Sequence, residues 1–190
     1  MNNKNTFKII LIALLIAIAG GFIWYQSTKN NLITLNESIE SSWSQVENQM
    51  QRRYDLIPNL VNTVKGYATH EKGVFESIAA ARSKLIGAKT VDEKISANRG
   101  FESALSRLLV ITENYPNLKA DTQFNRLMDE LAGAENRLSV ERRRYNENIL
   151  VFNRTVQMFP GNIVANFAGF HKKSYFEAEE QSKTTPKVSF

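Results

Sequence analysis

The sequence predicts an all-α protein: an N-terminal transmembrane helix followed by an antiparallel four-helix bundle with long first and fourth helices. Three observations predict it. Residues 9–25 are almost continuously apolar. Beyond them, apolar residues recur at spacings of three and four, the pattern of helices that bury one face. No segment sustains the period-two alternation of a half-buried strand. The chain has 190 residues, so about 160 remain beyond the apolar run and its flank, enough for one core.

Residues 7–25 approach the roughly 20 apolar residues that cross a bilayer core. Trp24 and Tyr25 stand at the end of the run, where aromatic side chains favour the membrane–water interface. A cleaved signal peptide is the rival reading, with Lys4 and Lys8 as its basic start and Ala17-Ile18-Ala19 as a small-x-small site. The apolar run continues through Phe22 and Ile23 past that site, which favours an uncleaved anchor. Lys4 and Lys8 precede the run and Lys29 follows it, with Glu37 and Glu40 beyond. This bias keeps the N-terminus in the cytoplasm and puts the domain on the extracytoplasmic side of the inner membrane.

After a polar break at Asn30-Asn31, Leu32, Leu35, Ile39, Trp43, Val46 and Met50 begin a stripe that continues through Ile57, Leu60 and Val64. It predicts a helix over 32–66, about 50 Å long. Pro58 lies inside it. Either the helix kinks there, or it ends at Ile57 and a second one starts at Pro58. Residues 71–85 give a second helix, with Val74, Ile78, Ala81 and Leu85 on one face. Thr90 and Glu93 fit a capping box that opens a third, reaching Asn114. Its apolar face of Ile95, Phe101, Leu105 and Leu108 is interrupted by Asn98 and Glu102. Tyr115-Pro116-Asn117 stops it. Asp121 caps a fourth helix whose stripe runs from Phe124 to Phe159, where Pro160-Gly161 ends it. Residues 162–176 keep enough apolar side chains to dock along the bundle end. The implied organisation is an anchor over 1–29, a bundle over 30–176 and a flexible polar tail over 177–190.

Composition removes several chemistries. Cysteine is absent, so disulfides, thiolate nucleophiles and cysteine-linked lipid anchors are excluded. His70 and His171 are the two histidines. Neither sits in a Glu-x-x-His pair or a nucleophile motif, so no metal site, cofactor site or catalytic residue is expected. Acidic residues interleave with the basic ones despite a net charge of +5, which argues against a nucleic-acid partner.

The densest stretch is Arg52-Arg53-Tyr54-Asp55-Leu56-Ile57-Pro58-Asn59-Leu60-Val61, followed by Thr63-Val64-Lys65-Gly66-Tyr67. It resembles the signature of LemA family proteins. Asn114-Tyr115-Pro116, Leu118, Glu135-Asn136-Arg137, Arg143-Arg144-Tyr145-Asn146 and Phe159-Pro160 follow in the family's order. The resemblance implies a single-pass bacterial membrane protein with a four-helix bundle and no established enzymatic activity. Family genes often lie near membrane zinc proteases, which implies a link to envelope quality control by association.

Two arginine groups, Arg52-Arg53 and Arg142-Arg143-Arg144, lie about twenty residues into the first and last long helices. In antiparallel helices this places them within about 10 Å of one height. Solvated faces are the plain expectation for such groups. The sharper one is a structural polar layer of Arg53, Asp55, Glu102, Glu135, Arg143 and Arg144, with Arg53 inward because it falls between Met50 and Ile57. Asp55 and Asn59 are candidates for a partner surface. The functional expectation is a membrane-anchored interaction module, its partners being the bilayer and an envelope or membrane protein. A bundle that binds lipid or a small molecule near Pro58 is the alternative. The apolar end Val188-Ser189-Phe190 could add to the sheet edge of a PDZ domain, or be an ordinary tail.

Overall fold

A computed structural model describes residues 3–176, with side chains from residue 7. The expectations for the tail over 177–190, including Val188-Ser189-Phe190, lie outside the described residues. The regular elements of the described chain are all helices: α1 (Asn3–Lys65), α2 (Lys72–Gly87), α3 (Val91–Thr112), α4 (Pro116–Lys119), α5 (Thr122–Gln157) and α6 (Gly161–Ala168).

The first helix is longer than the stripe predicts. It runs without interruption from the apolar segment through Asn30-Asn31 and Pro58. Asparagine costs a helix only a few tenths of a kcal/mol, and Thr34 donates its hydroxyl to the Asn30 carbonyl at 3.0 Å. Pro58 faces solvent. The chain therefore takes the continuous alternative at the proline. One stretch of α1 is long and apolar enough to cross a membrane, and its side chains are unburied.

The helix starts are capped as local chemistry demands. The Thr90 hydroxyl accepts from the Glu93 N–H, while the Glu93 carboxylate accepts from the Thr90 N–H. Backbone N–H groups of Lys89 and Thr90 hold that carboxylate below the ordinary glutamate range. Asp121 Oδ1 accepts from the Phe124 N–H at 2.8 Å to open α5. That bond, and the Tyr67 hydroxyl donating to its other oxygen at 2.8 Å, lower the Asp121 pKa. Pro116 both stops α3 and starts α4, since a proline loses nothing at a first helical position. The sequence reading has the stop and misses the one-turn helix, which buries Leu118 completely.

Two compact units emerge, one holding the described residues up to Ser44 with Arg143–Tyr175, the other Gln45–Arg142 with Phe176. In the second unit, α1 buries Val46, Met50, Tyr54, Ile57, Leu60 and Val64. Contacts of Glu47 with Lys94 and of Arg53 with Glu102 run α3 alongside α1 in the same direction. Those of Arg53 with Glu135 and of Tyr67 with Asp121 run α5 in the opposite one.

In the first unit the α1–α5 pair is again antiparallel. Trp43 meets Tyr145 with ring centroids 5.3 Å apart, and Asn148 donates to the Ser38 carbonyl at 3.1 Å. Beyond α5 the chain turns sharply at Gly161, where a Cβ would lie 2.3 Å from the Thr155 carbonyl oxygen. Helix α6 ends at Gly169 in the left-handed conformation. The chain then folds back, bringing Phe170 to Phe152 edge-on at 6.1 Å. Asn153 fixes this return through both ends of its amide. Its Nδ2 donates to the Lys173 carbonyl and its Oδ1 accepts from the Lys173 N–H, each at 2.9 Å.

Candidate functional site

The charged residues of the second unit converge on one layer. Arg53 sits on the same face of α1 as Met50 and Ile57, and only 5% of its side chain is exposed. A guanidinium cannot be deprotonated at that depth, so it needs acceptors. Two arrive from different helices. Arg53 Nη1 lies 2.5 Å from Glu135 Oε2 and 3.3 Å from Glu102 Oε1. Arg142, on α5, contacts the same Glu102 oxygen and stands 3.7 Å from Glu135 Oε1. Two cations and two anions thus neutralise one another.

A neutral shell extends the layer. Asn98 donates to Glu102 Oε1 at 2.8 Å, and its Oδ1 accepts from the Tyr54 hydroxyl at 3.3 Å. Tyr54 in turn meets Phe101 edge-on at 5.1 Å, and the Arg53 guanidinium lies 6.0 Å from the same ring. The Arg142 guanidinium lies 4.6 Å from the Phe176 ring. Arg53 Nε and Arg142 Nε stay buried without a hydrogen-bond partner among the described residues, so each guanidinium is held by its terminal nitrogens.

Burial raises the Glu102 pKa, but Arg142, Asn98 and Arg53 together outweigh it and hold the carboxyl below the ordinary range. Burial also pushes the Tyr54 phenol well above its usual value. At neutral pH Glu102 is therefore a clamped anion and Tyr54 a neutral donor. Such a pair accepts and donates hydrogen bonds within the layer.

The structure brings Arg53, Glu102 and Glu135 together. It leaves Asp55 and Arg143 exposed outside this layer, and Arg144 is exposed as well. Asp55 is exposed and accepts from Gln51 Nε2 at 2.9 Å along its own helix. Two residues beyond Arg53, it points to the opposite side of α1. Arg143 and Arg144 are exposed, and Arg142 makes the contact instead. Helical register explains the correction. Arg142 lies seven residues from Glu135 and four from buried Leu138, on the inward stripe, whereas the next two residues rotate away. Asn98 carried a signal too, since it interrupts the apolar face of α3 one turn before Glu102. Asn59 is exposed, one turn beyond Asp55.

Cavities near the layer are modest. A cleft of about 210 Å³ is lined by Glu47, Met50, Gln51, Tyr54, Leu85 and Lys94 among others, below the roughly 300 Å³ at which small-molecule sites begin. A broad groove of about 800 Å³ between α2 and α3 is lined mainly by small residues such as Ala80, Ala81, Ala97 and Gly100. His70 and His171 are exposed. Among the described residues, no three of histidine, aspartate and glutamate gather into a metal-binding group.

Comparison with known proteins supplies the lineage. The chain is 26% identical to the magnetosome protein MamQ of Magnetospirillum gryphiswaldense over 186 residues, covering 84% of this chain and 68% of that protein. The magnetosome protein MamQ 1 of Paramagnetospirillum magneticum matches with the same identity and coverage. Protein LemA of Metamycoplasma hominis is 26% identical over 176 residues, covering 91% of this chain and 80% of that one. The model of the LemA family matches residues 42–190, which contain every member of the charged layer; the chain belongs to the LemA family.

Proposed function

We propose that this chain is a membrane-anchored helical interaction module of the bacterial envelope. The observation that carries the reading is the continuity of α1. One helix holds both the unburied membrane-length apolar run and Arg53 of the charged layer. In this reading residues 1–29 are a single-pass inner-membrane anchor and residues 30–176 form an extracytoplasmic body. Arg53, Glu102, Glu135 and Arg142 fix the register of that body. The reading contains no catalytic step, because the clamped carboxylates are committed to their arginines. Relatives named as magnetosome proteins and a mycoplasma relative with the family name support a membrane-associated helical body.

Asp55 and Asn59, one turn apart on the exposed side of α1, are the proposed partner surface. A photo-crosslinking residue at Asn59 in intact cells should capture one recurrent envelope or membrane protein, a membrane protease being one such class. Capture of lipid alone would instead support the lipid-binding alternative. Orientation is tested separately. A reporter active only outside the cytoplasm, fused after Phe190, should be active. A reporter that works only in the cytoplasm reverses the topology.

A further inference from the structure

Helix α6 and the turn before it carry a surface that the interaction reading does not use. Val164 and Ala165 are fully buried. On the other side, Ile163 and Phe167 are one turn apart and exposed, Phe167 by 82%. Met158 and Phe159, immediately before α6, are exposed by 63% and 78%. Four large apolar side chains are thus presented outward within ten residues, and no charged residue separates them. Exposed apolar residues scattered singly need no explanation, but a contiguous cluster marks an interaction surface.

The antiparallel register locates this cluster along α1. Asn148 lies opposite Ser38. Nine residues along α5 lead to Gln157, and nine back along α1 lead to Lys29, both a rise of roughly 14 Å. Thr28 and Lys29 are indeed partly covered, and Leu32 is fully buried. Met158 and Phe159 therefore stand opposite residues 27–28, within roughly 6 Å of the level where the apolar run ends at Trp24 and Tyr25. Charge agrees. From Leu150 to Tyr175 the chain holds Arg154, Lys172 and Lys173 and no acid. Arg154 and Lys172 are exposed. An apolar face rimmed by cations is the composition of a helix that lies in the headgroup region of an anionic bilayer.

We propose that Met158, Phe159, Ile163 and Phe167 form a second membrane contact, inserted into the interface of the leaflet that α1 enters, with Arg154 and Lys172 against anionic headgroups. The occupant is the lipid bilayer itself. This rests on the reading of α1 as a membrane anchor. The contact turns a single-point tether into two-point seating, which restricts tilt of the first unit about α1.

The absence of cysteine allows a direct test on the full chain. Single variants Phe159→Cys, Phe167→Cys, Glu147→Cys and Ile18→Cys are spin-labelled and reconstituted into phosphatidylcholine vesicles with or without phosphatidylglycerol. Accessibility to oxygen and to a water-soluble nickel complex is then measured. Labels at 159 and 167 should favour oxygen several-fold over the label at 147 and approach the label at 18. Phosphatidylglycerol should increase that contrast. Water-like labels at 159 and 167 with a lipid-like label at 18 overturn the second contact and leave the anchor standing. A water-like label at 18 removes the anchor and this proposal with it. Labels shielded from both reagents overturn it in favour of a protein cover, such as a second copy. Lipid contact at only one of the two positions overturns it as well, because both belong to the proposed face. A contrast indifferent to phosphatidylglycerol overturns the role of the cations.

Discussion

The two units solve the same problem with opposite chemistry. Each must hold α5 against α1. The unit containing Gln45–Arg142 does so with full charges, Arg53 and Arg142 against Glu102 and Glu135. The unit containing Arg143–Tyr175 makes neutral contacts of its own: Asn148 on the Ser38 carbonyl, Trp43 against Tyr145, and Asn153 on the backbone of Lys173. Buried charges tolerate few registers, because a slip strands an ion in low dielectric. Neutral amides tolerate more, and a lost bond costs less. The difference teaches where specificity resides. The charged unit fixes which residues face each other, while the neutral unit keeps its partners inside and leaves apolar side chains outside.

The largest effect should come from breaking the charged layer. Arg53→Ala leaves Glu102 and Glu135 with Arg142 as their remaining cation, and should cost about 3–5 kcal/mol of stability. Chemical denaturation of the full chain measures the cost. Hydrogen exchange localises it, with amides of Gln45–Arg142 accelerating before those of Arg143–Tyr175. Uniform acceleration would show that the two units open as one. A cost below 1 kcal/mol would show that the layer does not hold the fold.

Asn153→Ala is the matching test in the neutral unit. It removes both hydrogen bonds to Lys173 and leaves a part-buried N–H and carbonyl without their partner, so about 1–3 kcal/mol is expected, with exchange rising around residues 150–175. Lys173→Ala is its control. The clamp engages the backbone of Lys173, so the variant keeps both bonds and loses only the approach of its ammonium to the Phe152 ring at 5.7 Å, at most about 1 kcal/mol. Equal losses from the two variants would mean that the side chain rather than the clamp holds the return.

Acid should separate the units more gently. The folded-state pKa of Glu102 lies below its unfolded value. Its contribution is therefore fully present above the ordinary glutamate range and is lost as pH falls through the lowered folded value. In Arg143–Tyr175 the bonds of Asn148 to the Ser38 carbonyl and of Asn153 to Lys173 are made by amides, which do not titrate. Hydrogen exchange at falling pH, corrected for the intrinsic rate, should show the amides around Asn98 and Glu102 losing protection first. The effect should shrink in Glu102→Gln.

Much of this architecture is legible locally. The Thr90–Glu93 capping box, the Asp121 cap and the helical stripes rest on contacts within four residues, which spacing alone reports. The face that Arg53 occupies is legible for the same reason, as it shares a stripe with Met50 and Ile57. Its partners are not. Choosing Arg142 over Arg143 and Arg144 requires the register of α5 against α1, which sequence proximity does not supply. Register applied strictly from Leu138 and Tyr145 would have excluded both neighbours. The Asn153 clamp is less legible still. It depends on a return over twenty residues, and although Pro160-Gly161 marks the turn, nothing in the spacing pairs Asn153 with Lys173.

The smallest expected effect tests what lies outside both solutions. Asp55 and Asn59 face solvent, and the Asp55 carboxylate accepts from Gln51 along its own helix. Asp55→Ala and Asn59→Ala should each change stability by no more than about 0.5 kcal/mol, as exposed substitutions do away from caps and networks. The double variant should still fold yet lose crosslinking to the partner protein. A destabilisation above about 1 kcal/mol with crosslinking intact would assign the pair to the fold. Stability and crosslinking both unchanged would leave α1 without a partner surface at these residues. Because the face opposite Arg53 is free of the charged layer, substitutions at Asp55 and Asn59 test the proposed partner surface without disturbing register.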